Sequence, residues 1–158
     1  MENLDEQIQD QESQEQGSEE KAENRKVTWN ITFKIARDVT TRYKFVLDGT
    51  NLKHGKWKQP PANQIVVPEG RDEFTVTFIS TGRKGTALGT EGWFTYRCDD
   101  STANPTTYKF EWKVPWGSEQ SSCMLTGGSS NYDVKEDLNQ GGKEVTGNVT
   151  ITQVKPTI

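Results

Sequence analysis

From Lys26 onward, apolar residues in this chain recur at every second position. Val27, Trp29, Ile31, Phe33 and Ile35 alternate with Thr28, Asn30, Thr32 and Lys34. Phe74, Val76 and Phe78 alternate with Glu73, Thr75 and Thr77. Tyr108, Phe110, Trp112 and Val114 alternate with Lys109, Glu111 and Lys113, and Val145, Val149 and Ile151 with Thr146, Asn148 and Thr150. Side chains of an extended strand point alternately to opposite faces, so this period means one buried face and one wet face. No convincing amphipathic helix is present, since a helix would need apolar residues every three to four positions. Weaker runs at 41–47, 65–67, 92–98 and 121–125 read as further strands. Between the runs stand turn formers: Asp48-Gly49, Pro60-Pro61, Pro68-Glu69-Gly70, Asp99-Asp100, Gly127-Gly128 and Gly141-Gly142. Many short strands punctuated in this way predict an all-β fold, a single antiparallel β-sandwich or barrel.

The first 26 residues break the pattern. They hold nine acidic and three basic residues and no aromatic one. A segment rich in Glu, Gln and Ser cannot bury enough apolar area to offset the entropy of ordering it. We therefore expect a disordered acidic tail at 1–26 and a folded domain at 27–158. The tail carries −6 (three bases against nine acids) and the domain +2 (sixteen against fourteen), so the overall −4 belongs to the tail. A near-neutral domain without a basic, aromatic-interleaved patch argues against nucleic acid as a partner. Two readings stand for the tail: a plain solvated extension, or a charged segment that restrains the domain until needed or is removed by proteolysis.

No apolar run is long enough to span a bilayer, and no apolar segment follows the first charges as a signal peptide requires. The expected product is soluble, made in the cytoplasm and released without a classical signal. Two cysteines, Cys98 and Cys123, are too few for a disulfide framework; they could pair, but free thiols fit the missing signal peptide better.

Catalytic chemistry finds no support in the residues. The single histidine, His54, lies in a polar stretch and reads as a surface residue. No nucleophile elbow, phosphate-binding loop or metal-ligand spacing occurs, so neither cofactor nor metal is expected. The Gly-rich segment 85–92 leads into a strand, which lacks the helix N-terminus of a phosphate cradle.

Tryptophan placement is the unusual feature. Trp29 and Trp112 fall on the apolar faces of their strands and read as core. Trp57 lies in "HGKWKQPP" between Lys56 and Lys58, and Trp116 lies between Pro115 and Gly117. Trp93 adjoins Phe94, whose parity Tyr96 shares, so Trp93 is the outward residue of the pair. Indole rings suit a membrane–water interface, and neighbouring lysines suit phosphates. For Trp57 and Trp116 two readings stand, lipid or ligand contact and a plug closing the end of the sandwich; for Trp93 the plug is preferred.

The stretch "FEWKVPWGS", 110–118, closely resembles the Phe-x-Trp-x-x-Pro-Trp-Gly-Ser element of the aegerolysins, small β-sandwich proteins. Trp29 in "VTWNITFKI", "NLKHGKW" at 51–57, "ALGTEGWF" and "GNVTITQVK" resemble further family segments in order, so the resemblance covers about 27–155. It implies a non-enzymatic sandwich that binds membrane lipids, sphingomyelin with cholesterol or ceramide phosphoethanolamine. It also implies a second, pore-forming partner, of MACPF type or another binary-toxin component, and so a cytolytic or insecticidal role. Trp57 and Trp116 match tryptophans of the membrane-facing end, with Trp93 a possible addition and Lys56 and Lys58 supporting through phosphates. Two departures stand out. Val114 replaces a cysteine common in fungal members. Leu88 occupies the place of a glutamate linked to lipid preference, with Glu91 three residues on, and "GTEG" at 89–92 is closer to insecticidal Bacillus relatives. The rivals are a carbohydrate-binding module, since exposed aromatics also stack on sugars, and an inert structural or storage protein.

Overall fold

The computed structural model describes residues 25–154 apart from 38, 40, 41, 102, 118 and 119, so nearly all of the acidic segment and Ser118 of the motif lie outside the described residues. Ten strands and no helix occur among them: β1 (Lys26–Ile35), β2 (Phe45–His54), β3 (Lys56–Gln59), β4 (Gln64–Ile65), β5 (Glu73–Thr81), β6 (Thr90–Cys98), β7 (Thr106–Val114), β8 (Ser122–Gly127), β9 (Tyr132–Asn139) and β10 (Glu144–Gln153). They form two five-stranded sheets, ordered β3-β5-β1-β10-β9 and β4-β2-β6-β7-β8. The expected β-sandwich is the observed architecture.

The alternation works as the period requires. Val27, Trp29, Ile31 and Phe33 of β1 face inward, as do Phe94, Tyr96 and Cys98 of β6 and Tyr108, Phe110, Trp112 and Val114 of β7. Trp29 fills the centre, edge-on to Phe110 at 5.2 Å and to Phe94 at 6.3 Å between ring centroids. Each buried ring of this size contributes about 1.5–3 kcal/mol from apolar burial alone. Gly147, opposite Trp29 in the β1–β10 register, leaves the space that the indole occupies; a Cβ there would collide with the ring. Cys98 and Cys123 are both buried and free.

Four details depart from the sequence reading. β1 and β10 run parallel, the one parallel pair among otherwise antiparallel ladders of the described residues. Alternation reports which face a residue occupies and is blind to strand direction. Asp48-Gly49 is not a turn: β2 continues through it with a register shift between Leu47 and Gly49 against β6. The bulge has a packing reason, because Trp93 lies over Gly49 and a Cβ there would stand 3.1 Å from its ring. β3 and β9 have no counterpart in the sequence pattern, since both are edge strands in which charges crowd out the alternation; such charges deter edge-to-edge pairing. Finally, Lys26 opens β1 and the Arg25 backbone accepts from Gly82 at 2.9 Å, so both residues belong to the sandwich rather than to the tail.

Candidate functional site

Strand register gathers one set of ends together. Lys26 faces both Thr81 and Glu144, Thr90 faces Val114, Lys113 faces Ser122, and His54 faces Glu91. The ends of β5 and β7, the starts of β1, β6, β8 and β10, and the β2–β3 turn at Gly55 thus share one rim of the sandwich. Gly55 has φ of 108°, and its α-carbon region lies tight against the Thr81 carbonyl and the Thr90 side chain, so only glycine turns the chain there. Gly89 is likewise pressed onto the Val114 carbonyl, which seats the preceding Leu88 beside Pro115 and Trp116.

The two sheets are stitched just beneath this rim. Trp112 Nε1 donates to Thr90 Oγ1 at 2.9 Å, and the Ser80 hydroxyl donates to the Lys56 carbonyl at 2.9 Å. Ser80 has then spent its only proton, so in the 2.6 Å contact between the two hydroxyls Thr90 is the donor. The chain Trp112–Thr90–Ser80–Lys56 ties β6 and β7 of one sheet to β3 and β5 of the other. Sequence reading missed it; its signal was hydroxyl residues at inward parity in otherwise apolar strands.

Above the network lies an open cavity of about 200 Å³, lined among others by His54, Leu88, Thr90, Glu91, Lys113 and Trp116. Leu88 is 49% exposed, a large apolar side chain held out at the rim. Trp116 is half-buried, with the Arg25 guanidinium 4.9 Å from its ring centre. Arg25 Nε donates to the Pro115 carbonyl at 3.1 Å, so this residue grips the turn that carries Trp116. Glu91 is half-buried and paired with Lys53 at 3.7 Å, and Glu144 pairs with Lys26 at 3.4 Å. Arg83, Lys84 and Lys143 stand exposed on the loops of the same rim. Among the described residues of the rim, Arg25, Arg83, Lys84 and Lys143 stand beside two acids, each paired with a lysine.

The predicted site residues therefore divide. Trp57, Trp116, Lys56 and Glu91 meet at this rim, and Lys58 is exposed beside Trp57. Trp57 is half-buried; its ring packs on Trp112 at 5.4 Å and on Phe94 at 6.3 Å, so much of it belongs to the closure of the core. Trp93 points outward, as its parity predicts, but onto the open face of its sheet rather than to the rim. It borders a groove of about 280 Å³ with Asn51, Glu111 and Met124, and Lys109 lies 5.1 Å above its ring. Gly49 and Lys109 both lie against the indole. Arg25 is the candidate residue that the patterns did not assign, and Leu88 entered only as a departure from the resemblance.

The buried thiols are chemically quiet. Burial pushes the Cys98 and Cys123 thiols up from an ordinary 9.0 to about 11, and Cys98 Sγ also lies 3.1 Å from the Tyr132 hydroxyl. Neither is poised as a nucleophile, which needs a lowered thiol pKa. Among the described residues no helix is long and apolar enough to cross a membrane.

A two-sheet sandwich with an aromatic, cation-rich rim defines a class of small all-β proteins. Within that class, the aegerolysin family profile matches residues 28–155, and the chain belongs to the aegerolysin family. Solved structures share the fold at low identity. IP-1A from Alcaligenes faecalis superposes with a TM-score of 0.61 at 24% identity, over 87% of this chain and 97% of that one. RahU protein, crystallised with TRIS, gives 0.58 at 17%, over 85% and 98%. The lipid binding protein Nakanori gives 0.53 at 16%, over 87% and 79%. No curated protein sequence matches the chain significantly.

Proposed function

We propose that this aegerolysin is a non-enzymatic lipid-binding protein that docks on sphingolipid-containing membranes through the rim described above. The observation that carries the reading is that Trp116 and exposed Leu88 line one headgroup-sized cavity, at a rim whose loops carry exposed Arg83, Lys84 and Lys143. Trp116 and Leu88 enter the headgroup level, with the open edge of Trp57 beside them. Lys56 and Lys58 face lipid phosphates, while Glu91, held by Lys53, offers a carboxylate to a cationic headgroup. Partial burial of two or three such side chains supplies a few kcal/mol, about enough for reversible association. Selectivity for sphingomyelin with cholesterol or for ceramide phosphoethanolamine then rests on hydrogen bonds within the cavity. The docked protein recruits a second, pore-forming component, consistent with the family resemblance.

Vesicle sedimentation tests the reading. Binding to sphingomyelin–cholesterol or ceramide phosphoethanolamine vesicles, above that to phosphatidylcholine alone, is expected. Equal and negligible sedimentation with all three compositions rejects it.

A further inference from the structure

Arg25 is 8% exposed, and one of its terminal nitrogens is fully buried without a hydrogen-bond partner. The rest of the residue is tied down. Its carbonyl accepts from Gly82, the next amide donates to the Lys143 carbonyl at 3.0 Å, and Nε donates to Pro115. The guanidinium therefore cannot relocate by a backbone shift to find an acceptor. A buried charged donor left unpaired is destabilising and rare, and it calls for a specific account. The rim acid nearest in role, Glu91, is already engaged by Lys53.

What covers the guanidinium on one side is Trp116, and the same indole lines the rim cavity. The ring thus touches Arg25 and borders the cavity. The next residue, Gly117, has φ of 101° with open space where a Cβ would point. If the indole moves out to a membrane interface, Arg25 loses a cation–π contact and opens toward the cavity. A guanidinium presents parallel N–H groups that match two oxygens of a phosphate, and phosphate is the anion found at the depth where an interfacial tryptophan sits.

We propose that Arg25 is a phosphate-binding residue capped by Trp116 in the free protein: a phosphate displaces the indole from the guanidinium, and entry of Trp116 into the membrane favours the same displacement. The proposal rests on the docking reading above and assigns to one residue the phosphate that both of its headgroups carry. Insertion and headgroup capture are coupled, because the contact that Arg25 gives up to the indole is replaced by one to the phosphate.

Two measurements on the full chain test it. The first follows tryptophan emission during titration with O-phosphoethanolamine or inorganic phosphate, against chloride at matched ionic strength. The second is sedimentation with galactolipid vesicles carrying either ceramide phosphoethanolamine or galactosylceramide. The wild type should give a saturable emission change with O-phosphoethanolamine and bind the phosphate-bearing vesicles at least tenfold better. Arg25→Gln should abolish both effects, Arg25→Lys should weaken them about tenfold while keeping charge and fold, and Trp116→Phe should lose the emission change. Thermal melts confirm that each variant is folded, and Arg25→Lys serves if Arg25→Gln is not. Equal vesicle preference in wild type, Arg25→Lys and Arg25→Gln overturns the proposal, as does the absence of any wild-type response to phosphoethanolamine. A wild type that responds to inorganic phosphate yet binds neither vesicle refutes the docking reading instead and makes Arg25 a site for free phosphate.

Discussion

Replacing Trp57 and Trp116 separately by alanine distinguishes a ring that closes the core from one that meets the membrane. Complete removal of a buried tryptophan costs about 3–5 kcal/mol. Trp57 is half-buried against Trp112 and Phe94, so Trp57→Ala should cost about 2 kcal/mol. Trp116 has Arg25 as its ring partner, a cation–π contact of about 0.5–1 kcal/mol at a partly exposed site, so Trp116→Ala should cost about 1 kcal/mol. With a urea m-value of about 1.5 kcal/mol/M, the midpoints should fall by about 1.3 M and about 0.7 M. Equilibrium unfolding followed by circular dichroism measures both. Vesicle sedimentation should reverse the order, with Trp116→Ala losing at least tenfold in binding and Trp57→Ala less. A Trp57→Ala midpoint within about 0.3 M of wild type contradicts the packing of that ring on Trp112. A Trp116→Ala protein that loses more stability than Trp57→Ala makes Trp116 the plug and removes the anchor.

Thr90→Val strips the acceptor from Trp112 Nε1 and should cost about 1–3 kcal/mol, read as a urea midpoint shift. Adding Trp112→Phe should cost less than the two single changes summed, because the donor and its acceptor then leave together. Gly147→Ala drives a methyl group into the Trp29 indole and should destabilise by about 1–3 kcal/mol; a neutral result refutes the role given to that glycine. Alkaline stability should follow the buried thiols. Their folded values lie above the ordinary 9.0, so the neutral thiol is the form that folding favours. The stabilisation is complete below pH 9.0 and is lost as pH rises through about 11. Burial raises Tyr96, Tyr108 and Tyr132 in the same direction. Urea midpoints that decline steadily between pH 7 and 9 contradict this account.

The sequence by itself determined which residues face inward wherever a strand is half-buried. Trp29, Phe110 and Trp112 were legible as core because burial on one side imposes period two, and Trp93 as outward because Phe94 and Tyr96 claim the opposite parity. Edge strands escaped: in β9, Asp133, Lys135, Glu136 and Asp137 leave too little apolar area for a pattern. The tryptophans that break alternation drew attention to the rim, yet alternation could not separate Trp57, which rests on the core, from Trp116, which rests on Arg25. Only tertiary structure decided that difference. Contacts between the two halves of the sandwich join residues that are not neighbours in any one strand, 90 positions apart for Arg25 and Pro115 and 10 for Ser80 and Thr90, and no local pattern encodes them. The same holds for Arg25, which composition assigns to an acidic tail. It became a buried, half-satisfied cation because β1 runs beside β5 and β10 and starts under the Pro115–Gly117 turn.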